Sequence, residues 1–399
     1  MNHNVINKTL TNFYQPEIEL LLCCSRSYID IDTANRINTL LQKDIDWVYL
    51  TSVAQRHNVE LLLYKSLNST YPEAVPKPIL EQLRNFYYAN TVRNLFLSSQ
   101  LLELLNLFEK SEIPAIPYKG VVLATSVYGS PELRLCSDLD ILVRQQDFSK
   151  AKAILLSHDF SHGELPTWEQ PWEINFTSKD GNINVDLHQS ITPAFLNIRL
   201  DFDDLWKNLE LLSICSKKVR NLAPEDLLLL LCIYLTKDFL LNRERLIQIC
   251  DIAETIRVFQ RLNWGYLLEQ AEKLGCTYIL FLGIFLARQL LGTNLPEEIL
   301  QRLQNVQVVK SLAAQMTEKL FSETYQQMSL IKSIIFYCRA REHLQDAVVP
   351  YVAYYAKNFI SPTKTEWTLI PLPPQVYFLY YIIRPFRIFI KYGLLFLKH

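Results

Sequence analysis

The sequence predicts an α+β fold, with a small mixed-sheet core set between an N-terminal and a C-terminal helical region. Three observations lead there. Apolar residues recur at spacings of three and four up to about residue 110, and again beyond 200. Between those limits the texture changes to short β-branched or alternating runs separated by turn residues. Gly120, Gly129 and Gly181, three of only nine glycines, fall near one acidic motif in that middle stretch, and a scarce residue without a Cβ marks backbone that must turn or be closely approached.

The elements follow in order. Residues 1–112 read as helical, with "EIELLLCCSRSYI", "WVYLTSVAQRHNVELLLYKSL" and, after the three prolines of "YPEAVPKP", one long helix through "ILEQLRNFYYANTVRNLFLSSQLLELLNLFEKSE". Residues 113–200 form the core. "IPAIPYKG" is a strand running into a tight turn, and "VVLATSVYG" is two helical turns closed by Gly129. "DLDILV" is a strand, and "DFSKAKAILLSHDF" is a helix capped near Asp147 or Ser149. "EINFTSKDGNINVDLHQSI" is a hairpin about Asp180-Gly181. Residues 201–345 return to helices, beginning with "APEDLLLLLCIYLTKDFLL", whose proline and acids suit a helix start. Residues 346–399 form a separate apolar and basic segment.

The totals limit the function. A chain of 399 residues with a formal net charge of −1 argues against wholesale electrostatic binding of nucleic acid, leaving room only for a local basic patch. None of the eight cysteines forms a C-x-x-C pair, so neither a zinc knuckle nor a thioredoxin-like motif is present. The opening "MNHNVINKTLTNFYQ" lacks the apolar core of a secretory signal, which predicts a reducing, cytoplasmic setting with free thiols.

The chemistry concentrates in "SDLDILV", residues 137–143. Alternate residues of a strand share a face, so Asp138 and Asp140 project together and repel. The second strand of the hairpin puts Asn184, Asp186 and His188 on one face, supplying a third carboxylate 46 residues after Asp140. Three carboxylates on neighbouring strands make a hard-oxygen site of the kind that holds Mg²⁺, with Mn²⁺ as its substitute. Upstream, Lys119-Gly120 ends a strand just before a short helix. The helix N-terminus favours phosphate, and the glycine clears its approach. A phosphate site followed by an acid pair is a layout for a metal-bound nucleoside triphosphate.

The ordered set "KG…YGSPELR…SDLDILV…NVDLH" resembles the nucleotidyltransferases of the DNA polymerase β-like superfamily, and more narrowly an uncharacterised bacterial nucleotidyltransferase family with a KG-x-R-x-DxD pattern. The likeness extends over most of the chain, through "RHNVELLLYKSL" and "FLYYIIRPFRI". It implies metal-dependent transfer of a nucleoside monophosphate from a triphosphate to an unknown acceptor. Asp138 and Asp140 would then hold the metal that bridges the triphosphate. Asp186 would complete the metal site and activate the acceptor. Lys119 would meet a phosphate oxygen, Arg134 the leaving pyrophosphate, and Ser137 a phosphate by hydrogen bond.

Other readings stay open. Val121 follows Gly120 where the superfamily usually carries a second small residue, which favours an alternative: an inactive nucleotide-binding or interaction protein of the same fold. Tyr234 and Phe239 stand where the helical half of such proteins often has histidines. His188 reads equally as a structural histidine, Cys136 as a buried filler, and Asp251 as a packing residue between helices. The C-terminal block, with Arg384, Arg387, Lys391 and Lys398, is either packed on the body with snorkelling arginines or laid on an anionic membrane surface. Oligomeric state has no signature here.

Overall fold

The computed structural model describes residues 15–163, 172–200, 202–322, 327–362 and 364–396. The opening segment to residue 14 and Lys398 lie outside the described residues.

A five-stranded sheet forms the centre. β1 (Ala115–Pro117), β2 (Leu139–Val143), β3 (Phe160–His162), β4 (Glu173–Ser178) and β5 (Asn184–His188) lie in the order β1-β2-β5-β4-β3. β2 and β5 are parallel, and every other neighbouring pair is antiparallel. The mixed sheet and its hairpin are those predicted. The β3 edge strand had no strong pattern of its own.

The sheet separates two apolar clusters. Leu139, Ile141, Val143, Val185 and Leu187 join Leu97, Leu101 and Phe108 of the Lys77–Lys110 helix and Ala151 and Leu155 of the Phe148–Ser157 helix. Leu142 belongs to the opposite cluster, with Ile116 and Tyr118. Each apolar side chain buried on the first face contributes about 2 kcal/mol. Those contributions hold β2 in register although its other face carries a buried carboxylate, Asp140.

The second cluster unites the helical regions that flank the core in sequence. Leu20, Leu21, Leu50 and Leu63 pack with Leu228, Leu235, Ile249, Leu282 and Leu312 in one continuous interior. Its axis is the Pro224–Leu240 helix, which starts on Pro224, Glu225 and Asp226 and is buried along most of its length. Residues 210–221 depart from the helical expectation. β6 (Glu210–Ile214) and β7 (Lys217–Asn221) form a hairpin whose β7 lies against β1, and Ile214 and Val219 join the first cluster. Its two turn residues, Cys215 and Ser216, both have positive φ. Such hairpin turns usually advertise themselves with Asn or Gly, and this one has neither.

In the C-terminal segment, the Lys364–Leu369 and Tyr380–Phe396 helices meet through Glu366. It is fully buried and accepts from Arg387 Nε at 2.6 Å and Arg384 Nη1 at 3.4 Å. Both arginines turn inward, while Ile382, Phe386 and Phe389 stay exposed. Among the described residues, no helix is long and apolar enough to cross a membrane.

Candidate active site

Parallel pairing of β2 and β5 sets Asp140 directly beside Asp186, and Leu142 beside His188. Asp140, Asp186 and His188 therefore share the sheet face turned toward the helical half. One ligand atom from each lies within 4.8 Å of the others, a buried Asp-Asp-His group able to hold a metal ion. His188 Nε2 is 3.2 Å from Asp140 Oδ1, and His188 Nδ1 is 3.5 Å from Glu173 Oε2. The rings of Tyr118 and Trp172 fix the imidazole from two sides. Asn175, opposite Asp186 on β4, donates Nδ2–H to Asp186 Oδ1 at 2.6 Å.

Asp138 precedes the first residue of β2 and lies outside that 4.8 Å group. It lines the same cavity. Burial, together with the charges of Asp140 and Asp186, raises its carboxyl to about 6, against the pull of Lys119. Burial would raise Asp140 as well, but Lys119 and His188 hold its carboxyl well below the usual carboxylate range. The crowding of three carboxylates is a region of negative potential that a divalent cation relieves, and its oxygen donors suit Mg²⁺ or Mn²⁺.

Lys119 Nζ donates to Asp140 Oδ1 at 3.1 Å and lies 3.7 Å from the Tyr234 ring centroid. Burial disfavours its charge, but Asp140 outweighs burial and the ammonium is held more tightly than usual. Gly120 has φ +51°, and a Cβ there would sit 3.0 Å from the Asp138 carbonyl oxygen. The glycine thus brings the turn against the backbone of the acid loop. Val121 is buried on the side of the apolar core. The following helix, Val121–Ser126, has only six residues, so its dipole is small.

Arg134 is committed elsewhere than the sequence pattern suggested. Its Nε and Nη2 each donate at 2.9 Å to the two oxygens of Asp251, and Tyr128 Oη donates to the same carboxylate at 2.8 Å. The arginine borders the cavity, but its fork is spent on the Leu246–Val258 helix. Asn94 Nδ2 donates to the carbonyls of Pro131 and Arg134, at 2.5 and 2.8 Å, fixing the loop. Ser137 is exposed on the cavity wall.

The cavity measures about 610 Å³ and lies between the acid face and the helical half. Two of its lining residues, Glu173 and Lys237, and the Tyr234 ring that supports Lys119 from behind, were missed in the sequence. Glu173 borders it from β4. Tyr234, expected only as a replacement for histidine, is buried behind Lys119; it donates its hydroxyl to the Ile191 carbonyl at 2.6 Å and its ring supports the Lys119 ammonium. Lys237 lies one helical turn on, with Nζ 4.4 Å from the Tyr234 ring centroid. Burial first, and the nearby Lys119 charge with it, push the Lys237 ammonium below the usual lysine range, against the pull of Asp238. The available signal was Tyr234 and Lys237 three apart on one helix face.

Fold and site together define a nucleotidyltransferase-type core. Residues 43–292 match a family described as uncharacterised nucleotidyltransferase, and the chain belongs to that family. No protein of curated description matches the chain.

Proposed function

We propose that this protein transfers a nucleoside monophosphate from a nucleoside triphosphate to an acceptor, as a member of the DNA polymerase β-like superfamily. The observation that carries the reading is the pairing of Asp140 with Asp186 on adjacent parallel strands, with Asp138 at the head of β2, all bordering one cavity. Asp138, Asp140 and Asp186 would hold Mg²⁺ or Mn²⁺, which when bound offsets triphosphate charge and sharpens the acceptor nucleophile. Asp186, steered by Asn175, is also the carboxylate best placed to take the acceptor's proton. His188 orients Asp140. Lys119 and Lys237 supply positive charge for phosphate oxygens. Ser137 offers a hydroxyl to the triphosphate. Arg134 acts on the site through its hold on Asp251.

The core spans residues 113–200 in this reading, with residues 1–112 and 201–345 as helical walls and 346–399 as an appended segment. The eight unpaired thiols suit a cytoplasmic setting. The low net charge disfavours a nucleic-acid acceptor.

Calorimetric titration with Mg·ATP tests the proposal. The parent should bind only with metal present, and an Asp138→Asn/Asp140→Asn protein should not bind. Equal binding by both sinks the metal-site reading. A second reading is favoured by one observation: Lys119 already pairs with Asp140, and His188 lies within hydrogen-bond reach of the same carboxylate. In that reading the core binds nucleotide without transferring it. Metal-dependent release of pyrophosphate from ATP in the presence of cell extract, which supplies the acceptor, separates the two.

A further inference from the structure

The cavity has a second pole. Beyond the acids its wall carries Arg56 from the Trp47–His57 helix, Arg243 and Arg245 from the turn after Leu240, and Lys319 near the end of the Gln307–Leu320 helix. This wall is braced. Arg56 donates to the carbonyls of Ser322 and Leu320 at 3.2 and 3.3 Å. Lys319 Nζ is 2.9 Å from Glu244 Oε1 and donates to Asn242 Oδ1 at 2.7 Å. Behind them His57 Nδ1 accepts from the Leu246 N–H at 3.2 Å and its Nε2 lies 3.1 Å from the Leu320 carbonyl, which fixes a neutral tautomer.

The charges on this wall do not cancel. Glu244 engages Lys319, and Asp238 lies beside Lys237 with its other oxygen on Gln248. Arg243 and Arg245 are exposed to the cavity. Cations gathered on a concave, partly dehydrated wall repel one another, and an anion filling the space between them relieves that. In the nucleotidyl-transfer reading the donor nucleotide would find its counter-charge at the acid pole, from the metal that the acids would hold and from Lys119 and Lys237.

We propose that the acceptor is an anion bearing a phosphate-type group, seated against Arg56, Arg243, Arg245 and Lys319. This rests on the nucleotidyl-transfer reading and narrows its substrate class. The same field repels a polycationic acceptor. Arginine suits the task because its planar fork meets two phosphate oxygens at once.

A phosphate group at this wall has two sources, the acceptor or the far end of the donor's own triphosphate. Inorganic phosphate is the probe that separates them. Full-length protein is saturated with Mg²⁺ and a non-hydrolysable ATP analogue, then titrated with phosphate by calorimetry. The expected result is phosphate binding with the nucleotide in place. Arg243→Gln/Arg245→Gln should lower that affinity tenfold or more and keep analogue affinity within twofold. Arg243→Lys/Arg245→Lys should recover part of the phosphate binding, from charge without the fork, which a merely structural loss would not allow. Displacement of the analogue by phosphate, or a tenfold loss of analogue affinity in the Gln variant, assigns the wall to the donor and overturns the proposal. If the parent binds no analogue, the transfer reading fails by itself. Phosphate titration without nucleotide then still reads the wall: binding that depends on Arg243 and Arg245 upholds an anion site, and no binding removes it. If the double variant does not fold, Arg243→Gln alone serves, because Arg243 is exposed.

Discussion

Lys119 Nζ touches Asp140 Oδ1 at 3.1 Å while the Tyr234 ring supports the ammonium from 3.7 Å away. Asp140 is 7% exposed, so its charge depends on a partner. Removing one member of a buried pair is costly because the other is left uncompensated, on the order of 3 kcal/mol. Lys119→Met should therefore lower stability by about that much. Adding Asp140→Asn to it should restore most of the loss, since the orphaned charge is then gone. Urea denaturation of the four proteins in the cycle reads the coupling, and strictly additive losses would show that the pair does not exist in solution.

Asp138 gives a pH signature. Its carboxyl is raised from 3.8 to about 6 by burial and by its acidic neighbours. The folded protein then binds the proton more tightly than the unfolded chain. The Asp138 charge is harmless below pH 3.8, becomes increasingly destabilising up to about pH 6, and exerts its full effect above that. Asp138→Asn should change stability little at pH 4 and raise it by roughly 2–3 kcal/mol at pH 7.5 without divalent metal, from about 1.4 kcal/mol per pKa unit. Denaturation at both pH values checks this. A gain that is the same at both would mean that Asp138 is not buried beside ionised neighbours.

Much of this arrangement was legible in the sequence, and the gaps have physical causes. Strand alternation is local, so "DLDILV" and "NVDLH" declared their faces. The Asp180-Gly181 turn declared the hairpin that sets Asp186 opposite Asn175; the parallel register that brings Asp186 beside Asp140 joins strands distant in sequence and was not encoded by that turn. The counter-charges were not legible. Arg134 meets Asp251 across 117 residues and Lys119 meets the Tyr234 ring across 115, and no local pattern encodes such a meeting. The β6–β7 hairpin was hidden for a different reason, because Cys215 and Ser216 adopt positive φ without the usual turn residues. Asp251, read as a packing residue, does join helix to core, and it does so as an ion pair.

That ion pair bears on stability. Arg134 offers Asp251 two parallel donors, and Asp251 is nearly fully buried. A lysine carries the charge but not the fork. Arg134→Lys should lower stability by about 2 kcal/mol, and Arg134→Ala by about 3–5 kcal/mol as the buried carboxylate loses its partner. Thermal and urea melts test this in the absence of nucleotide. If Arg134→Ala melts like the parent and loses only nucleotide affinity, Arg134 is a direct phosphate ligand and not a brace.

Gly120 carries two constraints at once. Its φ of +51° is disfavoured for any residue with a Cβ, and that Cβ would stand 3.0 Å from the Asp138 carbonyl oxygen. Backbone oxygen does not swing aside as a flexible side chain does. Gly120→Val should push the turn away from the acid loop and weaken Mg·ATP binding more than Lys119→Ala does, because the Lys119 charge is largely engaged by Asp140. Calorimetry on both variants ranks them. Equal nucleotide affinity for the parent and Gly120→Val would show that the turn does not approach the phosphate.

Asp186 separates binding from chemistry. In the proposed reaction Asp138, just before β2, and Asp140, on it, would serve the nucleotide's metal, whereas Asp186 stands on β5 with Asn175 turning its carboxylate. Asp186→Asn preserves size and can still hydrogen-bond to Asn175, but it can neither take a proton nor add a negative ligand. It should bind Mg·ATP within a few-fold of the parent and lose transfer by roughly a hundredfold or more, the scale of removing a general base or its support. Incubating each protein with cell extract and α-phosphate-labelled triphosphates, followed by mass spectrometry, measures transfer whatever the acceptor is. The register is what the result depends on. Asp186 is the Cα partner of Asp140, and a slip of one residue would present Val185 or Leu187 instead. If Asp186→Asn keeps full transfer while Asp138→Asn and Asp140→Asn abolish it, the acceptor is activated from another wall of the cavity, and Glu173, 3.5 Å from His188, becomes the carboxylate to replace next.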